Sequence, residues 1–527
     1  MIPWTPEGIA TVTGAELSPE VDPAAEVTGV SIDSRTVGPG TVFVALLGER
    51  VDGADYVADA VRAGSPLAVV GRPVAGPTAL VKDPAVALAQ LAEVGLRRAR
   101  VANPDLKVIG ITGSVGKTTT KDLVARILRR VGNTVAARGS LNNYLGVPLT
   151  ASQVEADTDF LVLEMGANHE GEIAELARIA PPDVALVLGV SGAHLGEFGS
   201  FDAIARAKAE LVAGVGPQGV AVLNLDDPAV AAMAFGAPGA VVTFGFDSAA
   251  RIMGYDVAHD PRGHLELTVV DQEHEDPVRL RTKLVGDHLA IDVLAALAGA
   301  VAAQVSFIRA SQALQGARAA SPHRMAVTEL GSSVLIDDSY NASPESMAAA
   351  IEFTAELARS AGKGAVAVLG AMAELGSASP AEHRRMGQLV AKHGYDHLIA
   401  VHDAARSLYS AALAGGLAER AAEFHPSGTP LASGPASLAD RIRSVLAALG
   451  GEGAYVLVKG SNASGLWRAA DELAAGAPAA AAGNGGVGGA GADGGVGTSG
   501  ARGAAGPAAA KGGETASGKA GEGGAVC

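Results

Sequence analysis

Hydrophobic positions along this 527-residue chain gather into short apolar runs separated by longer amphipathic stretches, and the runs fall into three blocks. The first carries "GVSIDSRTVGPGTVFVALLG" and a helix-like "YVADAVRAG", and it ends near Asn103-Pro104, where polar residues and a proline precede the next apolar run. In the second block "LKVIGI", "DFLVLEMG", "DVALVLGV" and "GVAVLNLD" alternate with helical segments, the pattern of a parallel sheet flanked by helices. An apolar helix is expected over 288–303, and after it "SPHRMAV" opens a third block. There "SVLIDD", "GAVAVLG", "HLIAVH" and "AYVLVKG" alternate with helix-like stretches such as "ESMAAAIEFTAELA" and "LADRIRSVLAAL". From about Gly476 the chain is almost entirely Gly, Ala and small polar residues, too poor in large apolar side chains to offset the entropy of ordering it. The expected organisation is therefore α/β, with domains at 1–103, 104–318 and 319–475 and a disordered tail at 476–527.

Composition narrows the function. A formal net charge of -16 argues against a nucleic-acid footprint, which depends on clustered Lys and Arg. The longest apolar stretch, "VLAALAGAVAAQV" after Asp292, is shorter than the ~18–20 residues a bilayer requires. The first residues lack the basic and apolar regions of a secretory signal, so a cytoplasmic protein is expected. The one cysteine, Cys527, excludes an intramolecular disulfide and a Cys-based zinc site.

The most informative local motif is "KVIGITGSVGKTTTKDLVARIL", an apolar run entering a glycine-rich turn and then a helix. In such a strand-loop-helix, successive backbone N–H groups face phosphates, the helix N-terminus adds a favourable dipole, Lys neutralises the terminal phosphates, and a hydroxyl ligates Mg²⁺. Gly113, Ser114, Val115, Gly116, Lys117, Thr118 and Thr119 fill those positions, although Ile111 stands where a strict GxxxxGK[ST] motif has glycine. ATP binding follows from this motif, whereas the fate of the ATP does not.

Other segments settle that question by resemblance. "SLNNYLGVPLT", "LEMGANHEGEI", "AHLGEFGSFDAIARAKAE", "SPHRM", "DDSYNASPESM" and "VKGS" occur, with the phosphate loop, in the order and spacing of the Mur ligase family of peptidoglycan synthesis. The resemblance runs from "SIDSR" near residue 31 to "KGS" near 459, and is strongest to members that add D-alanyl-D-alanine to UDP-N-acetylmuramoyl-tripeptide. It implies a uridine-nucleotide domain, a central P-loop ATPase domain with a mostly parallel sheet, and a mobile C-terminal Rossmann-like domain. The implied reaction is an amide ligation through an acyl phosphate, with ATP as co-substrate, Mg²⁺ as metal and those two peptides as substrates. A monomer is expected.

The resemblance also assigns roles. Glu164, after "DFLVLE", and Thr118 are implied Mg²⁺ ligands, and His194 resembles a ligand of a second Mg²⁺. Lys208 resembles the family's carbamylated lysine, whose modification turns an ammonium into a carboxylate-like ligand; by its letters alone it is an ordinary helix cation beside Glu210. Lys117, His194 and Lys208 thus form the implied catalytic set. Asn142 and Asn143 resemble substrate contacts, as does Lys459, and Ser31, Asp33, Ser34 and Arg35 match the uridine-nucleotide segment. Arg324, Asp338 and Asn341 resemble ATP contacts of the third domain, and Asp292 occupies a nucleotide-side position where the family usually has asparagine. Gly189 likewise replaces a usual asparagine, "DGADY" lacks a common histidine, and "KGSN" lacks a frequent arginine. Two alternatives remain open: a family member that adds the third-position diamino acid, whose "DNPR"-type signature is absent here, and a P-loop ATPase switch that performs no ligation.

Overall fold

Three β-sheets, one in each block, form the frame of the structure, a computed structural model that describes residues 1–48, 51–192, 198–260, 262–273, 276–432 and 437–476. Chain contacts separate Met1–Ala479 from Ala480–Cys527, and the second unit lies wholly outside the described residues, as does nearly all of the expected tail.

The first sheet has five strands in the order Glu16–Leu17, Thr78–Leu80, Ala68–Val70, Thr41–Val44 and Gly29–Ser31, parallel except for the first pair. Val42, Val44 and Val69 pack with Ile9, Leu88 and Leu91 to form its core. The helix Pro84–Ala102 supplies the last two. Its N-terminus is fixed by Asp83, whose Oδ1 accepts from Ala85 N at 2.8 Å, and by proline at the first helical position.

The second sheet has nine strands, ordered Val278–Val285, His264–Asp271, Ile252–His259, Ala240–Gly245, Val220–Asn224, Val184–Val187, Lys107–Thr112, Phe160–Glu164 and Thr134–Ala136. Lys107–Thr112 lies at the switch point: the next two strands in sequence build the sheet on one side of it, and Val184–Val187 pairs on the other. The crevice beyond the carboxyl ends at such a point is where open α/β sheets bind ligands. The apolar helix expected at 288–303 is Leu289–Ala302, and it is buried on nearly every face because it packs against both the sheet and the helix Lys117–Leu128.

The sequence reading passed over the antiparallel extension formed by Ile252–His259, His264–Asp271 and Val278–Val285. Its signal is present in "HLELTVVD", where buried residues alternate with half-buried ones, the period of a strand covered on one face. The third sheet runs Ala326–Leu330, Ser333–Asp338, Ala454–Lys459, Gly364–Leu369, His397–Val401 and Ala422–His425, parallel after an initial hairpin. The register of its second and third strands sets Asp338 beside Lys459. No described helix is long and apolar enough to cross a membrane.

Candidate functional site

The phosphate loop turns from the strand Lys107–Thr112 into the helix Lys117–Leu128 through two glycines that packing makes necessary. A Cβ on Gly113 would lie 2.7 Å from Leu188 Cβ, and one on Gly116, where φ is 85°, would lie 2.3 Å from Asp292 Oδ1. Ser114 anchors the loop: its N–H donates to Gly189 O at 3.0 Å, and its hydroxyl accepts from Ser191 N at 2.9 Å. Val115 is exposed at the tip, and Thr119 lines a small cleft with Arg324. Lys117 Nζ donates to the carbonyls of Gly113 and Ser114, at 2.7 and 3.2 Å. Burial lowers its pKa against the opposing pull of Glu164, and the positive charge of Arg324 lowers it further.

Glu164 ends its strand almost fully buried. One carboxylate oxygen accepts from Thr118 Oγ1 at 2.7 Å and the other from Asn142 Nδ2 at 2.8 Å. A hydroxyl and a carboxylate held together at a helix N-terminus form a hard oxygen donor set of the kind that suits Mg²⁺. Thr118 and Glu164 therefore fit a magnesium ion. Among the described residues no cluster of three His, Cys, Asp or Glu side chains exists, so further ligation at this point falls to substrate oxygens, water or a modified side chain. His194 lies outside the described residues.

Lys117 and Lys208 border one cavity of about 540 Å³. Asn142, Asn143 and Tyr144 line it from the loop after Thr134–Ala136, and Asn168, Glu172 and Glu175 line it from the segment that enters the helix Glu172–Ile179. Asn143 also has a structural task, accepting from Gly146 N at 2.9 Å to cap a short helix. Lys208, on the helix Phe201–Ala213, is 4% exposed, and no hydrogen bond or ion pair joins its ammonium to any described residue. Burial, reinforced by the charge of Lys117, brings its pKa down to about 7. A large fraction of this amine is consequently neutral near pH 7, the form that acts as a nucleophile.

The far wall of the cavity is held by the same helix that carries Lys208. Both carboxylate oxygens of Glu210 accept backbone N–H groups of the facing helix, from Gly171 at 2.6 Å and Ala174 at 2.9 Å, while Arg206 pairs with Glu170. Sequence reading missed Tyr144, Asn168, Glu172, Glu175 and Glu210. Asn168, Glu172 and Glu175 follow directly on Glu164 in "EMGANHEGEIAE", but only the folded turn brings them opposite Lys208.

The remaining candidates occupy different surroundings. Asp292 is 3% exposed beneath Gly116, and burial pushes its carboxyl up to about 8. A neutral carboxyl presents an O–H donor there, much as an asparagine amide presents N–H donors. Arg324 stacks on Tyr340, with Cζ 4.2 Å from the ring centroid. Lys459 is 1% exposed; its Nζ donates to Asp338 and, at 3.0 Å, to Asn341 O. Lys459, Asp338 and Asn341 are thus brought together inside the third block, and none of them lines the cavity. Ser31, Asp33, Ser34 and Arg35 form a compact turn at the edge of the first sheet, where Asp33 caps Ser34–Thr36 and pairs with Arg35 at 2.8 Å, also away from the cavity lining.

Comparison with known proteins gives this geometry its context. Three family models match: the Mur ligase family catalytic domain at residues 26–103, the Mur ligase middle domain at 111–300, and the Mur ligase glutamate ligase domain at 323–462. The UDP-N-acetylmuramoyl-tripeptide–D-alanyl-D-alanine ligase of Mycobacterium tuberculosis is 41% identical over 90% of this chain and 98% of its own length. The Escherichia coli protein of the same name is 33% identical, over 73% of this chain and 84% of its own. Among solved structures, MurF from Acinetobacter baumannii superposes with a TM-score of 0.78 at 30% identity, covering 90% of this chain and 99% of that one. MurF from Thermotoga maritima in complex with ADP gives 0.70 at 26% identity, covering 85% and 97%. With matched models in all three blocks and this identity to nearly full-length relatives, the chain belongs to the Mur ligase family.

Proposed function

We propose that this protein is an ATP-dependent ligase that joins D-alanyl-D-alanine to the terminal carboxyl of UDP-N-acetylmuramoyl-tripeptide, forming a C–N bond and releasing ADP and phosphate. The observation that carries this reading is the convergence of the phosphate-loop lysine, Lys117, and a buried, partly neutral lysine, Lys208, on one cavity large enough for a peptide end. A switch needs the first of these and has no use for the second. The relatives' names, at high coverage, support the choice of substrates.

In this reading the peptide carboxylate attacks the γ-phosphate to form an acyl phosphate. The amine of D-alanyl-D-alanine then adds to the carbonyl, and phosphate leaves. Both steps concentrate negative charge, and preorganised cations and donors contribute most where charge develops. Lys117 and the N–H groups of residues 113–118 neutralise the phosphates, while Thr118 and Glu164 hold Mg²⁺, which supplies Lewis-acid charge neutralisation when bound. The neutral amine of Lys208 combines with CO₂ to give a carbamate and a proton, and the carbamate adds an oxygen donor to a set that contains few carboxylates. His194 completes the metal side.

Arg324 and Asp292 serve the nucleotide from the side of the loop opposite the cavity, with Asp338, Asn341 and Lys459 as the third domain's contribution when it closes. Ser31–Arg35 hold the uridine nucleotide, and Asn142 and Asn143 the peptide end. The domains divide at 103/104 and 318/319, and the enzyme works as a cytoplasmic monomer. Mass spectrometry of the products formed from ATP, UDP-linked muramoyl tripeptide and D-alanyl-D-alanine tests the assignment. A product heavier than the tripeptide by one D-alanyl-D-alanine residue pair is expected; ATP turnover without it would favour the switch.

A further inference from the structure

Arg324 is held from three directions. The residues on either side of it, His323 and Met325, have φ values of 59° and 51°, a left-handed backbone that non-glycine residues adopt at a cost of about 1–2 kcal/mol each. Each is secured to the end of the strand Ser333–Asp338: His323 Nδ1 lies 2.7 Å from Asp337 Oδ2, and Met325 N donates to Asp338 Oδ1 at 3.2 Å. The guanidinium then rests on the ring of Tyr340, whose own N–H donates to His323 O at 3.0 Å. Arg324 Nε is buried without a hydrogen-bond partner among the described residues, so the ring, rather than an acceptor, fixes the plane of the guanidinium.

Tyr340 also reaches the central domain. Its hydroxyl is hydrogen-bonded to Ser140 Oγ, 200 residues earlier in the chain. Ser140 is rigidly placed, because the loop around it is pinned on both sides. Lys121, fully buried on the phosphate-loop helix, donates to the carbonyls of Ala137 and Gly139 at 2.7 Å each. Two residues after Ser140, Asn142 donates to Glu164 and accepts from Gly166 N at 2.8 Å. One short segment therefore carries a contact to the magnesium-side carboxylate and a contact to the residue beneath Arg324.

We propose that Tyr340 is a positioning residue that fixes Arg324 against the phosphate loop and, through Ser140, ties that arrangement to the Asn142–Glu164 side of the site. The inference rests on the reading of Arg324 as an ATP contact. A long arginine side chain loses considerable rotamer freedom when it is held in one place, and a ring anchored at both its backbone and its hydroxyl takes up that loss before the nucleotide arrives.

Steady-state kinetics of the full chain with ATP varied, for Tyr340→Phe, Ser140→Ala, their double variant, Tyr340→Leu and Arg324→Ala, test the proposal. Tyr340→Phe keeps the ring and loses the hydroxyl, and Ser140→Ala removes the other half of the same bond. Each is expected to raise the KM for ATP about fivefold, the loss of one net hydrogen bond, and the double variant is expected to do no worse than either alone. Tyr340→Leu, which also removes the ring, is expected to raise it about threefold more. The KM for D-alanyl-D-alanine is expected to stay unchanged in all of them, a split that general loosening of the fold would not produce. Effects of the two single variants that multiply in the double, or a Tyr340→Phe enzyme with normal KM for ATP beside an impaired Arg324→Ala, would overturn the role of Tyr340. A normal KM for ATP in Arg324→Ala would overturn the underlying reading of Arg324, and the inference with it.

Discussion

Asp292→Asn removes an ionisable group from beneath the phosphate loop while leaving the shape of the side chain nearly unchanged. Burial raises the Asp292 carboxyl from 3.8 to about 8. Between those values the folded protein holds a proton that the unfolded chain has released, so this residue's contribution to stability is complete below the lower value and is lost as pH rises towards the upper one. The slope is about 1.4 kcal/mol per pH unit. Asparagine does not titrate, so the advantage of the variant over the parent is expected to widen by at most about 4 kcal/mol between pH 5 and pH 8. Native-state hydrogen exchange of the amides in Leu289–Ala302, the helix that carries the residue, reads the opening free energy locally and avoids treating a multidomain protein as one transition. A difference between the two proteins that stays constant over this pH range would refute the reasoning, because it would mean that Asp292 is ionised in the fold. The amide is also expected to preserve ATP affinity near pH 7, since the neutral carboxyl and the amide both offer a donor beside Gly116.

Lys208→Ala is expected to lose activity severely, and short carboxylic acids are expected to restore part of it by supplying the missing oxygen ligand; full activity in the unsupplemented variant would remove Lys208 from the chemistry. Because the amine carries a pKa of about 7, removing dissolved CO₂ is expected to lower the activity of the parent enzyme reversibly, and bicarbonate to restore it, as followed by phosphate release. Glu210→Ala frees the N–H groups of Gly171 and Ala174 that its carboxylate now accepts. Loss of such a cap costs about 1 kcal/mol, so the KM for the UDP-linked peptide is expected to rise about fivefold with the KM for ATP unchanged; the opposite pattern would show that this wall of the cavity serves the nucleotide.

The phosphate loop and the three-block alternation of strands and helices were legible in the letters because both are local: the loop is a contiguous stretch in which glycine, lysine and hydroxyl follow one another, and the apolar runs mark buried strands whatever their neighbours are. The family motifs named Glu164 and Lys208, but by its letters alone Lys208 is an ordinary surface lysine. Its burial to 4% exposure depends on the helix Phe201–Ala213 packing against the helix Glu172–Ile179, and that packing lowers its pKa. Asp292 changes from a doubtful substitution to a proton-bearing neighbour of Gly116 only once the helix Leu289–Ala302 lies against the phosphate-loop helix. Lys459 meets Asp338 because two strands distant in sequence pair in parallel register, and Tyr340 meets Ser140 across 200 residues. Sequence alone determined which groups the protein possesses and how each is presented by its own turn or helix. Tertiary structure decided which of them face one another and how much water they keep, and therefore their charge, since desolvation and pairing are set by neighbours that the chain brings together only when it folds.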